Sequence, residues 1–125
     1  MSPCFFFFFD LTKAFDTVSY TTLLNKLSFY GFDGLSTNLL SSYLNGRHQA
    51  VFLNGNQSQY RLLKYGVPQG SVLGPTLFLI YVNDLPEFIR SECLETFLFA
   101  DDLAINVIRD NITSSISDMN KISSK

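Results

Sequence analysis

At 125 residues the chain is long enough for one domain with a modest core, and 46% hydrophobic residues, 13 Phe and 6 Tyr among them, exclude a disordered segment. A formal charge of -2, from 9 Lys and Arg against 11 Asp and Glu, leaves no bulk basic surface. One histidine, His48, and two cysteines far apart, Cys4 and Cys93, exclude a zinc cage and a histidine-based triad, and the cysteines read as reduced, buried thiols.

Residues 5–10 are five consecutive Phe ending on Asp10. A run that is apolar at every position predicts a strand buried on both faces and central in its sheet. It is too short for the apolar core of a signal peptide, and no run approaches the roughly 18 residues that span a membrane. Residues 11–16 form a turn. Ser19 then caps a helix to about residue 30, with Leu23, Leu24, Leu27 and Tyr30 on one stripe and Gly31 closing it. A second helix follows Asp33, carrying Leu35, Leu39, Leu40, Tyr43 and Leu44, and Asn45-Gly46 stops it. Both helices are expected to cover one face of the sheet.

Residues 48–53 and 59–65 read as strands joined by a hairpin turn at Asn54-Gly55. Arg47, His48, Arg61 and Lys64 gather the local positive charge there, either as a phosphate contact or as a solvated edge. Residues 66–75 are a glycine-rich loop, from which Pro75 starts an apolar, buried helix to about residue 82. A short amphipathic helix over 86–93 leads to a second hairpin over 96–107. Its bend carries Asp101 and Asp102 between the apolar runs Phe97-Leu98-Phe99-Ala100 and Leu103-Ala104-Ile105. Adjacent carboxylates at the lip of an apolar sheet repel and hydrate poorly, which a divalent cation relieves; the alternative is an Asp-rich turn without a ligand. The tail, 111–125, spaces Ile112, Ile116, Met119 and Ile122 as an amphipathic helix.

Three segments in this order, Asp10-Leu-Thr-Lys-Ala-Phe-Asp16, Gly66-Val-Pro-Gln-Gly-Ser-Val-Leu-Gly-Pro75 and Phe99-Ala-Asp-Asp102, resemble the palm of reverse transcriptases, in particular those of non-long-terminal-repeat retrotransposons. The resemblance implies an α+β palm with an antiparallel sheet and helices on one face. It also implies RNA-directed DNA polymerase chemistry, with deoxynucleoside triphosphates, an RNA template and a DNA primer as partners, inside the cell (cytoplasm or nucleus, not secreted) and away from membranes. Asp10, Asp101 and Asp102 are the catalytic and metal-binding candidates, with Asp10 and Asp101 bridging two ions and Asp102 as the third carboxylate. Hard oxygen donors select Mg²⁺, or Mn²⁺, over zinc. Leu11, Phe15, Gln69 and Gly70 are the nucleotide-binding candidates. The Phe15 ring would fill the space a 2′-hydroxyl needs, although a plain core Phe is the competing reading; Gln69 would hydrogen-bond sugar or template, and Gly70 lets backbone come close.

Asp16, six residues beyond Asp10, reads as a helix N-terminal or salt-bridging carboxylate. The family's fingers and thumb are expected to lie outside these residues, and the five Phe are cruder than the mixed first strand typical of the family. Two other readings stand beside this one. A catalytically inactive remnant or interaction domain would keep the palm fold, and another two-metal phosphotransferase gives no reason for Val67-Pro68-Gln69-Gly70.

Overall fold

The structure, a computed structural model, describes residues 4–89, 94–108 and 112–123. In chain order, strand β1 (Cys4–Asp10) leads through a short 3-10 turn (Ala14–Asp16) to helices α1 (Tyr20–Phe29) and α2 (Gly34–Leu44). Four two-residue strands follow, β2 (His48–Gln49), β3 (Phe52–Leu53), β4 (Asn56–Gln57) and β5 (Arg61–Leu62). Helices α3 (Gly74–Val82) and α4 (Leu85–Ile89), strands β6 (Leu94–Phe99) and β7 (Asp102–Ile108) and helix α5 (Ile112–Ser123) complete the chain. These elements sort into two compact units, Lys13–Tyr81 on the one hand and Met1–Thr12 with Val82–Lys125 on the other.

In the first unit the helix ends are set by local chemistry. Ser19 Oγ accepts from the Thr22 amide at 3.4 Å, and the Asp33 carboxylate accepts from the Ser36 amide at 2.7 Å, so each helix start has one of its free donors satisfied. Gly31, at φ +91°, lets α1 close with two reversed bonds, Phe32 N–H to Leu27 O and Gly31 N–H to Ser28 O, both at 3.1 Å. Leu23 and Leu27 are fully buried, as their spacing predicts, and α1 packs on α2. Along α2 the expected stripe is only half used. Leu44 is buried, whereas Leu35 and Leu39 are 81% and 71% exposed, with nothing among the described residues over them.

Asn54 (φ +50°) and Gly55 (φ +77°) form the tight turn between β3 and β4, both in the left-handed region that a type I′ hairpin requires. The ladders are shorter than the expected strands because residues 51–60 are exposed throughout, so no packing extends the pairing. In α3, Leu77, Phe78 and Val82 are buried while Leu79 is half exposed.

The second unit holds a three-stranded antiparallel sheet in the order β1-β7-β6. Register pairs Phe9 with Leu103, Phe7 with Ile105 and Phe5 with Val107, so one face of β7 presents Leu103, Ile105 and Val107, all buried. Ile89 and Leu85 of α4 pack against this face with Phe7, Leu94 and Leu98. The other face carries Phe6 and Phe8 of β1 and Phe97 and Phe99 of β6, and it is open; Phe8 and Phe99 are 80% and 82% exposed. The first strand is therefore an edge strand covered on one side, not a central strand buried on both. A run of identical Phe hides the alternation that would have revealed this.

Cys4 is likewise exposed rather than buried. In α5, Ser115 is fully buried while Ile116 is half exposed, so burial at this turn does not follow the Ile spacing. Cys93, the second half of the 86–93 helix and the ends of the tail lie outside the described residues, as do the side chains of Ile112, Met119 and Ile122.

Candidate active site

The paired aspartates stand where β6 turns into β7. Phe99 pairs with Asp102, leaving Ala100 and Asp101 as a two-residue turn. Ala100 has φ +53° while Asp101 does not enter the left-handed region, the pattern of a type II′ turn, in which glycine normally takes the first central place. An Ala there costs about 1–2 kcal/mol. That strain is held at the point where the carboxylates are presented.

On the neighbouring strand Asp10 is directly opposite Asp102 in register, which puts the two side chains on the same face, at the end of the row Phe6, Phe8. This is the open face of the sheet, and both residues are exposed. Asp101 is half-buried in the turn, and its backbone carbonyl accepts from the Leu11 amide at 3.2 Å, tying the chain after Asp10 to the hairpin. The sheet thus gathers the three sequence-predicted aspartates and Leu11 at one end, with Asp102 as the direct cross-strand partner of Asp10.

Among the described residues, no three His, Cys, Asp or Glu side chains converge closely enough to enclose a metal ion. The donor set is nonetheless the one a hard cation takes. Mg²⁺ keeps several waters and binds through one or two carboxylates plus substrate phosphate oxygens, rather than in an all-protein cage. Opposed Asp10 and Asp102 match that requirement, with Asp101 one residue away.

Phe15, Gln69 and Gly70 belong to the other unit. Lys13, in the left-handed conformation (φ +55°), turns the chain into the 3-10 segment, where Ala14 is buried. The Phe15 ring lies 4.5 Å from the buried Phe78 ring and is itself half-buried, so it is anchored in packing. The 66–70 loop is fastened to this turn by three bonds. Gly66 N–H donates to Val18 O and Val67 N–H to Phe15 O, both at 2.8 Å, and Gln69 Nε2 donates to Asp16 Oδ1 at 3.0 Å. Asp16, in the first turn of the 3-10 segment as its helix N-terminal reading expects, is also a side-chain partner of Gln69 across 53 residues of sequence.

Gly66 earns its residue type by proximity: a Cβ would meet main-chain atoms of Asp16 at 3.0 Å. Gly70 does so by conformation alone, with φ +76° and open space around it. Two polar groups had no sequence signal, namely the Asp16 to Gln69 bond and the nearly buried Asn106, whose amide donates to Glu95 at 3.0 Å on the open sheet face. Long-range pairs of this kind leave no local pattern to read.

The family described as reverse transcriptase (RNA-dependent DNA polymerase) matches residues 2–122 of the chain. The chain is 36% identical over 104 residues to an RNA-directed DNA polymerase from the mobile element jockey of Drosophila funebris, covering 78% of this chain and 11% of that protein. It is 35% identical over 109 residues to a probable RNA-directed DNA polymerase from transposon BS of Drosophila melanogaster, with the same coverage. Against a retrovirus-related Pol polyprotein from the type-1 retrotransposable element R2 of Popillia japonica, identity is 29% over 111 residues, covering 81% of this chain and 18% of that protein. The chain spans about a tenth of the length of the first two relatives. Among the described residues, no helix is long and apolar enough to cross a membrane.

Proposed function

The chain belongs to the reverse transcriptase family, and on that premise we propose that it supplies the nucleotidyl-transfer centre of an RNA-directed DNA polymerase encoded by a non-long-terminal-repeat retrotransposon. The observation that carries the reading is the register of the sheet, with Asp10 opposite Asp102 and the Asp101 carbonyl bonded to Leu11. Divalent ions, Mg²⁺ or Mn²⁺, would supply the electrostatic chemistry when bound, lowering the pKa of a primer hydroxyl and neutralising charge on the phosphate.

Asp10, Asp101 and Asp102 are the residues that would hold them. The carboxylates contribute negative oxygen donors from two strands fixed by backbone pairing, so their separation is set before substrate arrives. Phe15, braced on Phe78, offers a rigid ring against which a 2′-hydroxyl would be crowded, favouring deoxynucleotides. Gln69 is oriented by Asp16, which accepts from one amide hydrogen and leaves the carboxamide oxygen and second hydrogen for sugar or template. RNA template, DNA primer and deoxynucleoside triphosphates are the partners this chemistry needs, in the cytoplasm or nucleus, where such triphosphates occur.

Primer extension on an RNA template, with purified chain, Mg²⁺ and deoxynucleoside triphosphates, tests the reading. Extension by the parent chain, lost in the Asp101→Asn, Asp102→Asn double variant, is the expected result. Extension that survives in the variant contradicts the assignment of these carboxylates, and no extension by the parent favours a catalytically inactive palm.

A further inference from the structure

At the margin of the sheet stands a strand with none of the usual protection. Strand β1 pairs with β7 and, among the described residues, with no second strand, so its outer edge is open. Open edges are normally blunted by Lys, Pro or a bulge. Strand β1 instead reads Cys-Phe-Phe-Phe-Phe-Phe-Asp, with its one charge at the last position and a ladder that pairs all seven residues without a bulge. A segment of this length with high strand propensity, low charge and neither Pro nor Gly is the kind to which a further strand adds. At the opposite margin β6 carries Glu95.

The pairing fixes which backbone groups face that edge. Leu11 N–H donates to Asp101 O one step beyond the last rung, Asp10 with Asp102. Residues that bond a given neighbour alternate along an antiparallel strand. Phe5, Phe7 and Phe9 therefore direct N–H and C=O at β7, while Phe6 and Phe8 direct theirs at the open edge. The Phe6 and Phe8 side chains lie on the open face, 56% and 80% exposed, with ring centres 6.4 Å apart. Edge-facing backbone groups and uncovered rings thus belong to the same two residues.

We propose that β1 is a self-association edge: two copies of this chain join β1 to β1, antiparallel about a two-fold axis at Phe7, and their three-stranded sheets become one. A second copy fits this edge because the strand is complementary to itself. The register that overlaps all of Cys4–Asp10 sets Phe7 against the partner's Phe7 and Phe6 against the partner's Phe8. In that register edge-facing residues oppose edge-facing residues, so Phe6 and Phe8 each exchange both backbone bonds with the copy opposite. The Phe6 and Phe8 row also continues across the axis, which brings four rings together on one face. Rings of roughly 150–250 Å² each bury on the order of several hundred Å² here. That is short of the roughly 1,000 Å² of a stable interface, so the dimer is weak and concentration-dependent. Its outer margins are the β6 strands with Glu95, and the two-fold pair closes instead of growing into a fibre. The inference uses the sheet alone and stands apart from the nucleotide chemistry proposed above.

Sedimentation equilibrium of the full chain over a series of concentrations should show monomer and dimer and no larger species. Phe8→Lys removes two aromatic pairs per dimer, because the two-fold axis repeats the change, and should weaken association roughly tenfold. Phe99→Lys replaces a ring that is equally uncovered, 82% exposed, on the same face but on β6, and should leave association unchanged. Both substitutions fall on exposed side chains, so the variants keep the fold, which circular dichroism verifies. Register is read with Asp10→Cys in a Cys93→Ser background. Opposed residues of such a pair stand about 5.5 Å apart, within disulfide reach, so oxidation should link Cys4 of each copy to the new thiol of the other. Cys93→Ser alone should not link, since the two Cys4 lie at opposite ends of the paired strands. Positions 4 and 10 of one copy, about 20 Å apart along the strand, cannot close on themselves. A parent that stays monomeric, species larger than a dimer, undiminished association in Phe8→Lys, or equal weakening by Phe99→Lys overturns the proposal. So does failure of the 4 to 10 link at concentrations where the parent is dimeric.

Discussion

Replacing Gly66 with Ala asks whether the Gln69 loop is seated on the Asp16 turn as closely as the structure has it. Two costs combine. At φ +93° any residue with a Cβ loses about 1–2 kcal/mol. The added carbon would also stand 3.0 Å from Asp16 Cα and Asp16 O and 3.1 Å from Phe15 O, all main-chain atoms that yield only if the turn itself moves. Overpacking of that kind costs about 1–3 kcal/mol, for a total of roughly 2–5 kcal/mol.

Gly46→Ala provides the reference, since Gly46 has φ +72° with nothing within 4 Å of the added carbon and so carries the conformational cost alone. Urea unfolding followed by circular dichroism should place Gly66→Ala about 1–3 kcal/mol below Gly46→Ala at equal m-value. Equal stabilities for the two variants would refute the close approach. The bracing of Gln69 would lose its foundation with it.

Phe78→Ala removes a ring that is 2% exposed and tilted against Phe15, and should cost about 3–5 kcal/mol in the same assay; a loss under 1 kcal/mol would mean the site is not packed as described. Phe15→Val should raise the use of ribonucleoside triphosphates relative to deoxynucleoside triphosphates in primer extension, whereas unchanged discrimination would leave Phe15 as a packing residue only. Hydrogen bonds from Ser36 hold the Asp33 carboxyl below its ordinary value of 3.8. A folded-state value lower than the unfolded one means that this stabilisation is complete above the ordinary value and fades as pH falls through the folded one. Asp33→Asn, which can still cap α2, should therefore flatten the acid limb of the stability curve and leave neutral pH nearly unchanged. An acid limb identical to that of the parent would contradict the cap.

Local chemistry was legible in the residues. Ser19, Asp33 and Gly31 mark helix ends because their side chains, or the lack of one, act within a single turn, and Asn54-Gly55 fixes a hairpin for the same reason. Partition of the sheet was not legible: Phe5 through Phe9 offer no polar residue to say which face meets water, and only the pairing with β7 decides it. Leu35 and Leu39 misled in a related way, since amphipathic spacing states which side can be buried, not that something covers it.

At the site, the motifs located the aspartates, but the partner of Asp16 lay 53 residues away and the strained turn at Ala100 lacked the glycine that would announce it. The positive charge around Arg47 and Lys64 was legible in the residues, whereas Lys13 joins them around one cleft only through the fold.

Isothermal titration of Mn²⁺ into the chain, with and without a deoxynucleoside triphosphate, tests most directly the claim that Asp10 and Asp102 form a metal and nucleotide centre. The account predicts saturable binding that strengthens when the triphosphate is present, because two opposed carboxylates need phosphate oxygens to complete the coordination, and that is abolished in Asp10→Asn and in Asp102→Asn. Binding that is absent with the triphosphate, or that persists unchanged in both variants, would contradict it.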